Sequence, residues 1–200
     1  MKSGMIHKLD LSKAEGTIRV PQELLRKTVL SAKELAVLPS REGREQLRVL
    51  IANLYSCRND NVVLGNGSDE LIEGIARVLA GGISLTVVPT FERLYEVNLK
   101  LGYRAYTVSL DKEQSFTYSP ATHQAVLNEI SQLRPSVVWL CSPSNPTGAI
   151  IPSRCISEIA VALPNGIVVV DMAFADIAAG QVDTSLAPLV DRHKNLVLLN

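Results

Sequence analysis

Two polar side chains stand where a small ligand would be handled. Asn145 lies in Ser142-Pro143-Ser144-Asn145-Pro146-Thr147-Gly148, directly after the apolar run Val137-Val138-Trp139-Leu140-Cys141. Two prolines and a glycine exclude regular structure in this stretch and make a stiff loop. A second apolar run, Ile167-Val168-Val169-Val170, delivers Asp171 at its end. Short apolar runs of this kind read as buried strands. In a parallel α/β sheet the carboxyl ends of the strands line one crevice, where ligands sit. An amide that both donates and accepts and a carboxylate would then face the same ligand. The plain alternative for Asp171 is a capping carboxylate.

A third candidate is an anion site. Gly65-Asn66-Gly67-Ser68 forms a tight turn, and Leu71, Ile72, Ile75, Ala76 and Leu79 mark a helix after it. Ser68 suits the N-cap. The free backbone N–H groups at such a helix start favour an anion. A dinucleotide fingerprint competes, but Glu70 stands where that pattern wants a glycine. A capped helix without a ligand is the third reading. Aromatics follow another strand, 84–88, in Pro89-Thr90-Phe91-Glu92-Arg93-Leu94-Tyr95. They would stack on a flat ligand or pack as core. Tyr95 lies one helical turn past Phe91, with its hydroxyl in reach of a substrate.

These residues need a scaffold, and strand and helix signals alternate along the chain. A helix is expected from Pro21, a favoured first residue, with Leu24, Leu25, Val29, Ala32 and Ala36 as its stripe. It should end near Leu38-Pro39. Leu47, Leu50, Ile51 and Leu54 fall at i, i+3, i+4 and i+7 of a second helix, with Arg41, Arg44 and Arg48 on a solvated face. Val62-Val63-Leu64 reads as a short strand, as does 104–110. Residues 111–119 are polar and loop-like. Helices are expected from 120 to about 133 and from about 152 until Pro164-Asn165-Gly166 stops the second. A short helix within 183–190 and a strand over 196–199 complete the series. Such alternation predicts an α/β fold: a three-layer, mostly parallel sheet with helices on both faces. The domain reading is an N-terminal arm and helix over 1–40 and a ligand-binding domain over 41–200.

Composition narrows the classes. The 200 residues are 46% hydrophobic, enough for a buried core, and 20 basic residues balance 20 acidic ones. No long charge run suggests nucleic acid or an anionic membrane as a partner, and no apolar run is long enough to span a bilayer. Cys57, Cys141 and Cys155 share no metal-like spacing, so reduced thiols and no metal are expected. A reducing, cytoplasmic setting follows.

An asparagine held by SPSNPTG, with an aspartate ending the next strand in VDMAF, resembles the class I/II aminotransferases, fold-type I enzymes that use pyridoxal 5'-phosphate. The block Gly65-Asn66-Gly67-Ser68-Asp69-Glu70-Leu71-Ile72 resembles the histidinol-phosphate branch. The resemblance runs from roughly Leu9 to Asn200 and covers about the first half of such an enzyme. It implies that Gly67, Ser68 and Asp69 cradle the cofactor phosphate and that Phe91 covers its ring. It further implies that Asn145 bonds the phenolic oxygen, Asp171 keeps the ring nitrogen protonated, and Ala173 lies beneath the ring. Amino-acid and keto-acid substrates and a homodimer are implied in the same way.

Three departures accompany the resemblance. Phe174 stands where the family usually has a tyrosine, so one hydrogen bond to the phenolic oxygen is lost. The substrate-side segments read Lys13-Ala14-Glu15-Gly16 and Leu38-Pro39-Ser40, unlike the family's Asn-rich segment and Tyr-Pro-Asp. The Schiff-base lysine, expected shortly after strand 196–199, is absent. Lys194 precedes that strand, roughly 16 Å from the site end at ~3.3 Å per residue, and reads as a solvated lysine. The expectation is therefore a cofactor cradle without its nucleophile. A decarboxylase of the threonine-phosphate type and a non-catalytic fragment or degenerate binding protein are the alternatives.

Overall fold

The computed structural model describes residues 21–28, 40–178 and 186–200. The expected N-terminal arm, the stripe residues Val29, Ala32 and Ala36, the Leu38-Pro39 end and residues 183–185 lie outside them. By contacts the chain divides into two compact units, Met1–Arg41 and Glu42–Asn200. The first contains helix α1 (Gln22–Thr28), which starts one residue after Pro21, with Leu24 and Leu25 exposed.

The second unit is a three-layer α/β sandwich. Among the described residues it holds five strands: β1 (Ile83–Val88), β2 (Arg104–Ser109), β3 (Val137–Cys141), β4 (Ile167–Asp171) and β5 (Leu196–Leu199). All neighbouring pairs are parallel, in the order β2-β1-β3-β4-β5. The chain therefore leaves β1 in one direction to form β2, then returns to build β3 on its other side. That reversal is a topological switch point, where loops from adjacent strands part and leave a crevice.

Both faces of the sheet are covered, which is why the central strands are continuously apolar rather than alternating. Val138 and Leu140, with Leu85, Val87, Val168 and Val170, pack under α5 (Pro120–Leu133) and α6 (Ser153–Ala162). Val137, Trp139, Cys141 and Val169 face the other way, against α3 (Ser68–Val78) and α4 (Arg93–Lys100). Polar clips fix this second face. Trp139 Nε1 donates to buried Asn98 Oδ1 at 3.1 Å, and Asn98 Nδ2 donates to the Leu94 carbonyl at 2.6 Å. The Tyr103 hydroxyl donates to the Ala76 carbonyl at 2.7 Å. Short helices α7 (Ala175–Ala178) and α8 (Ala187–Val190) lie between β4 and β5 in sequence.

Two local expectations are corrected. Val62-Val63-Leu64 is not a strand: Arg48 of α2 (Arg41–Leu54) donates through Nε to the Val62 carbonyl at 3.0 Å and through Nη2 to the Asn59 carbonyl at 2.7 Å. Among the described residues no strand pairs with this stretch, and Arg48 holds it to α2 instead. Arg48 is therefore half-buried and structural, not part of a solvated face. Conversely, Leu47, Leu50 and Leu54 of the expected inner stripe are 48%, 65% and 75% exposed.

Candidate functional site

The site is assembled where β1, β3 and β4 end. Alternation along a strand puts every second side chain on one face, so Asp171 shares the α3 side of the sheet with Val169 and its register partner Cys141. Asp171 is buried, at 3% exposure, and one carboxylate oxygen accepts from the Ala173 N–H at 3.0 Å. Burial pushes its carboxyl pKa above the usual range; the Ala173 N–H opposes this, and the nearby charge of Asp69 adds to it. The charge of Asp69, in the first turn of α3, thus bears on Asp171.

The asparagine loop is closed by its own small residues. The Ser142 N–H donates to the Asp171 carbonyl at 2.9 Å, and Ser142 Oγ accepts from the Ile151 N–H at 2.9 Å. Ser144 Oγ donates to the Pro89 carbonyl at 3.2 Å, tying this loop to the one after β1. Gly148, at φ 71°, donates to the Ser144 carbonyl at 2.7 Å and closes the turn. Pro89, Pro143 and Pro146 follow cis peptide bonds. Asn145 is half-buried in this frame.

Two loops and the end of β4 meet near one sulfur, that of Cys141. Burial raises the Cys141 pKa, while the Asn145 and Phe91 N–H groups pull it down and the Asp171 charge raises it. Thr90 and Phe91 follow β1, Asn145 follows β3, and Asp171 ends β4. Phe91 is half-buried against the α3/α4 cluster. The Thr90 hydroxyl oxygen is buried with no hydrogen-bond acceptor or donor partner among the described residues.

The α3 start differs from the expectation in one respect. Gly67, not Ser68, is the N-cap, at φ 83° and ψ 172°, and Ser68 is the first helical residue. A positive φ suits glycine, because a Cβ would be strained there. No side chain caps the helix at Gly67, so N–H groups of the first turn remain for a ligand or water. Glu70 instead accepts from the Asn66 N–H. Arg93 braces this corner: its Nε lies 3.6 Å from Asp69 and its Nη2 3.0 Å from Glu73.

The remaining candidates are placed as follows. Tyr95 is half-buried in the first turn of α4. Ala173 is exposed directly after β4. Phe174 is half-buried, and its carbonyl accepts from the Ala178 N–H at 3.2 Å, starting α7. Lys194 is exposed ahead of β5. Sequence reasoning did not single out Cys141, Thr90 or Arg93. Only Cys141 carried a signal, as the strand-final residue before the loop.

Comparison with known proteins bears on the fold and the family. The histidinol-phosphate aminotransferase of Ruminiclostridium cellulolyticum is 29% identical over 198 residues, covering 96% of this chain and 53% of that protein. The enzyme of the same name from Xylella fastidiosa strain 9a5c is 32% identical over 157 residues, 77% of this chain and 42% of that one. The chain spans about half the length of the curated relatives it matches. Among solved structures, histidinol-phosphate aminotransferase from Clostridium acetobutylicum superposes with a TM-score of 0.68 at 22% identity, over 83% of this chain and 47% of that one. L-threonine-O-3-phosphate decarboxylase from Porphyromonas gingivalis reaches 0.60 at 20% identity, over 77% and 45%. The family model for aminotransferase class I and II matches residues 7–200, and the chain belongs to that family.

Proposed function

We propose that this chain forms the cofactor-binding portion of a pyridoxal-phosphate aminotransferase of the histidinol-phosphate type. The observation that carries the reading is the buried carboxylate of Asp171 beside the N-terminus of α3. Asp171 has one backbone donor and a raised pKa, as a carboxylate does when it lacks a cationic partner. A protonated pyridine nitrogen supplies that partner. The first turn of α3, with a glycine N-cap and no side-chain cap, supplies N–H groups for a phosphate. The residues present therefore fit the cofactor at both ends.

In this reading Gly67, Ser68 and Asp69 hold the phosphate, and Phe91 packs on the ring. Asn145 donates to the phenolic oxygen and Asp171 holds the ring-nitrogen proton. Ala173 leaves room beneath the ring, and Phe174 packs beside it without a hydroxyl to donate. Tyr95 faces the substrate. The bound cofactor supplies an electron sink whose strength depends on the ring-nitrogen proton. Ser144 keeps the loops after β1 and β3 together through the Pro89 carbonyl, and Cys141 lies buried at the end of β3 beside them.

The parent activity is transfer of an amino group between an amino acid and a keto or phosphate-bearing acceptor, working as a homodimer. The exposed Leu47, Leu50 and Leu54 on α2 support a second copy as the cover for that helix. The three thiols are all free, as expected in a reducing cytoplasm. Among the described residues no helix is long and apolar enough to cross a membrane.

Titration of the protein with pyridoxal phosphate, followed by intact mass with and without borohydride, tests the reading. Expected is a saturable shift in cofactor absorbance that Asp171→Ala abolishes, with no stoichiometric covalent adduct. A stoichiometric adduct on one lysine would show that this chain supplies its own nucleophile. An absorbance response unchanged in Asp171→Ala would overturn the site. Release of carbon dioxide, not a new keto acid, by the whole enzyme of which this is the cofactor-binding portion would favour the decarboxylase.

A further inference from the structure

A second cluster lies on the other face of the sheet, between α5 and α6. His123 comes from the first turn of α5, and Cys155 and Glu158 from α6, at i and i+3 on one helical face. Their ligand atoms all lie within 4.8 Å of one another. His123 Nε2 is 2.7 Å from Glu158 Oε2, and His123 Nδ1 is 3.1 Å from the Tyr118 hydroxyl. Cys155 is buried at 7% exposure, while the Glu158 side chain is 58% exposed. The cluster is thus closed on its sulfur side and open to solvent on its carboxylate side.

We propose that His123, Cys155 and Glu158 bind a zinc ion through one nitrogen, one sulfur and one oxygen, with water in the fourth position. The donor set suits a borderline-soft divalent cation, and thiolate and carboxylate together balance its charge. Metal–ligand bonds of ~2.0–2.3 Å at tetrahedral angles put donors roughly 3.3–3.7 Å apart. The His123–Glu158 pair opens slightly by rotation of the exposed Glu158 side chain, and the sulfur closes in by rotation of the Cys155 side chain. Binding exchanges the Cys155 thiol proton for the metal and releases it to solvent. The metal takes the Nε2 lone pair, and the imidazole proton then sits on Nδ1 and is donated to the Tyr118 oxygen. A metal-ligating histidine usually directs its second nitrogen to such a partner. Burial raises the Cys155 pKa, and neighbouring Arg154 acts against that. The inference does not depend on the aminotransferase reading.

Cobalt(II) is the probe, added to tag-free protein stripped with chelator and kept free of pyridoxal phosphate. Expected are one cobalt per chain, visible bands of a four-coordinate ion, a near-ultraviolet thiolate charge-transfer band, and loss of all of them when zinc is added. Cys155→Ser should remove the charge-transfer band, and Cys57→Ser should keep it. Glu158→Gln replaces an exposed side chain and should fold normally while binding more weakly. Tyr118→Phe should weaken binding about 10-fold. Zinc should raise the Tm of the unmodified protein, since the metal binds only the folded state, and leave that of His123→Gln unchanged. Absence of the thiolate band, or its persistence in both His123→Gln and Glu158→Gln, would overturn the proposal and leave a hydrogen-bonded His–Glu pair joining two helices.

Discussion

Cys141 and Asp171 face each other in register as the last residues of β3 and β4. Parallel pairing points both side chains to the same side of the sheet, toward α3. There the Asp171 carboxylate meets the field of Asp69, and the Cys141 sulfur meets the loops after β1 and β3.

Asp171 should make the free protein more stable at low pH. Burial raises its folded-state pKa above the ordinary carboxylate value, so the fold favours the protonated form. That contribution is complete below the ordinary value and is lost as pH rises through the raised one. Asp171→Asn should therefore melt higher than the unmodified protein at neutral pH, and the difference should vanish in acid. A gain of about 1 kcal/mol corresponds to about 2–4 °C in a chain of this size. Thermal melts at several pH values check this, and an unchanged or lower Tm for Asp171→Asn at neutral pH would count against it.

Gly67 carries the strain-free turn into α3. Gly67→Ala has space for its methyl group, since nothing lies within 4 Å of the added carbon, but it must adopt φ 83°. The cost should be about 1 kcal/mol or more, read as a shifted denaturation midpoint. Pyridoxal-phosphate affinity should fall with it, because the first-turn N–H groups move.

Arg48 should matter more than a surface arginine. Arg48→Ala leaves the Val62 and Asn59 carbonyls without their guanidinium donor. A loss of about 1–3 kcal/mol is expected, against less than 0.5 kcal/mol for Arg44→Ala. Chemical denaturation of the two variants separates them.

Asn98→Leu should report through the single tryptophan. The variant removes the acceptor of the buried Trp139 N–H, and an unsatisfied buried donor costs about 1–3 kcal/mol. Trp139 is the one tryptophan in the chain, so its emission should shift to the blue as the hydrogen bond is lost. Unchanged emission with full stability would show that the clip is dispensable.

The sequence by itself determined the layers, the parallel sheet and the positions of Asn145 and Asp171. Continuous apolar runs of strand length separated by helical periods admit little else, and proline and glycine act on the backbone locally. The Gly67 turn was legible for the same reason, although the cap fell on glycine rather than on Ser68. Tertiary structure alone decided what depends on distant partners. Val62-Val63-Leu64 has the pattern of a strand, but it is held to α2 by Arg48 and pairs with no strand of the sheet. The stripe Leu47, Leu50 and Leu54 has helical spacing, which says that a face is apolar but not what covers it. The approach of His123 to Cys155 and Glu158 joins residues of two helices with no shared spacing in the chain. Periodicity encodes which way a side chain points within its own element, whereas the meeting of two elements is set by strand order and register.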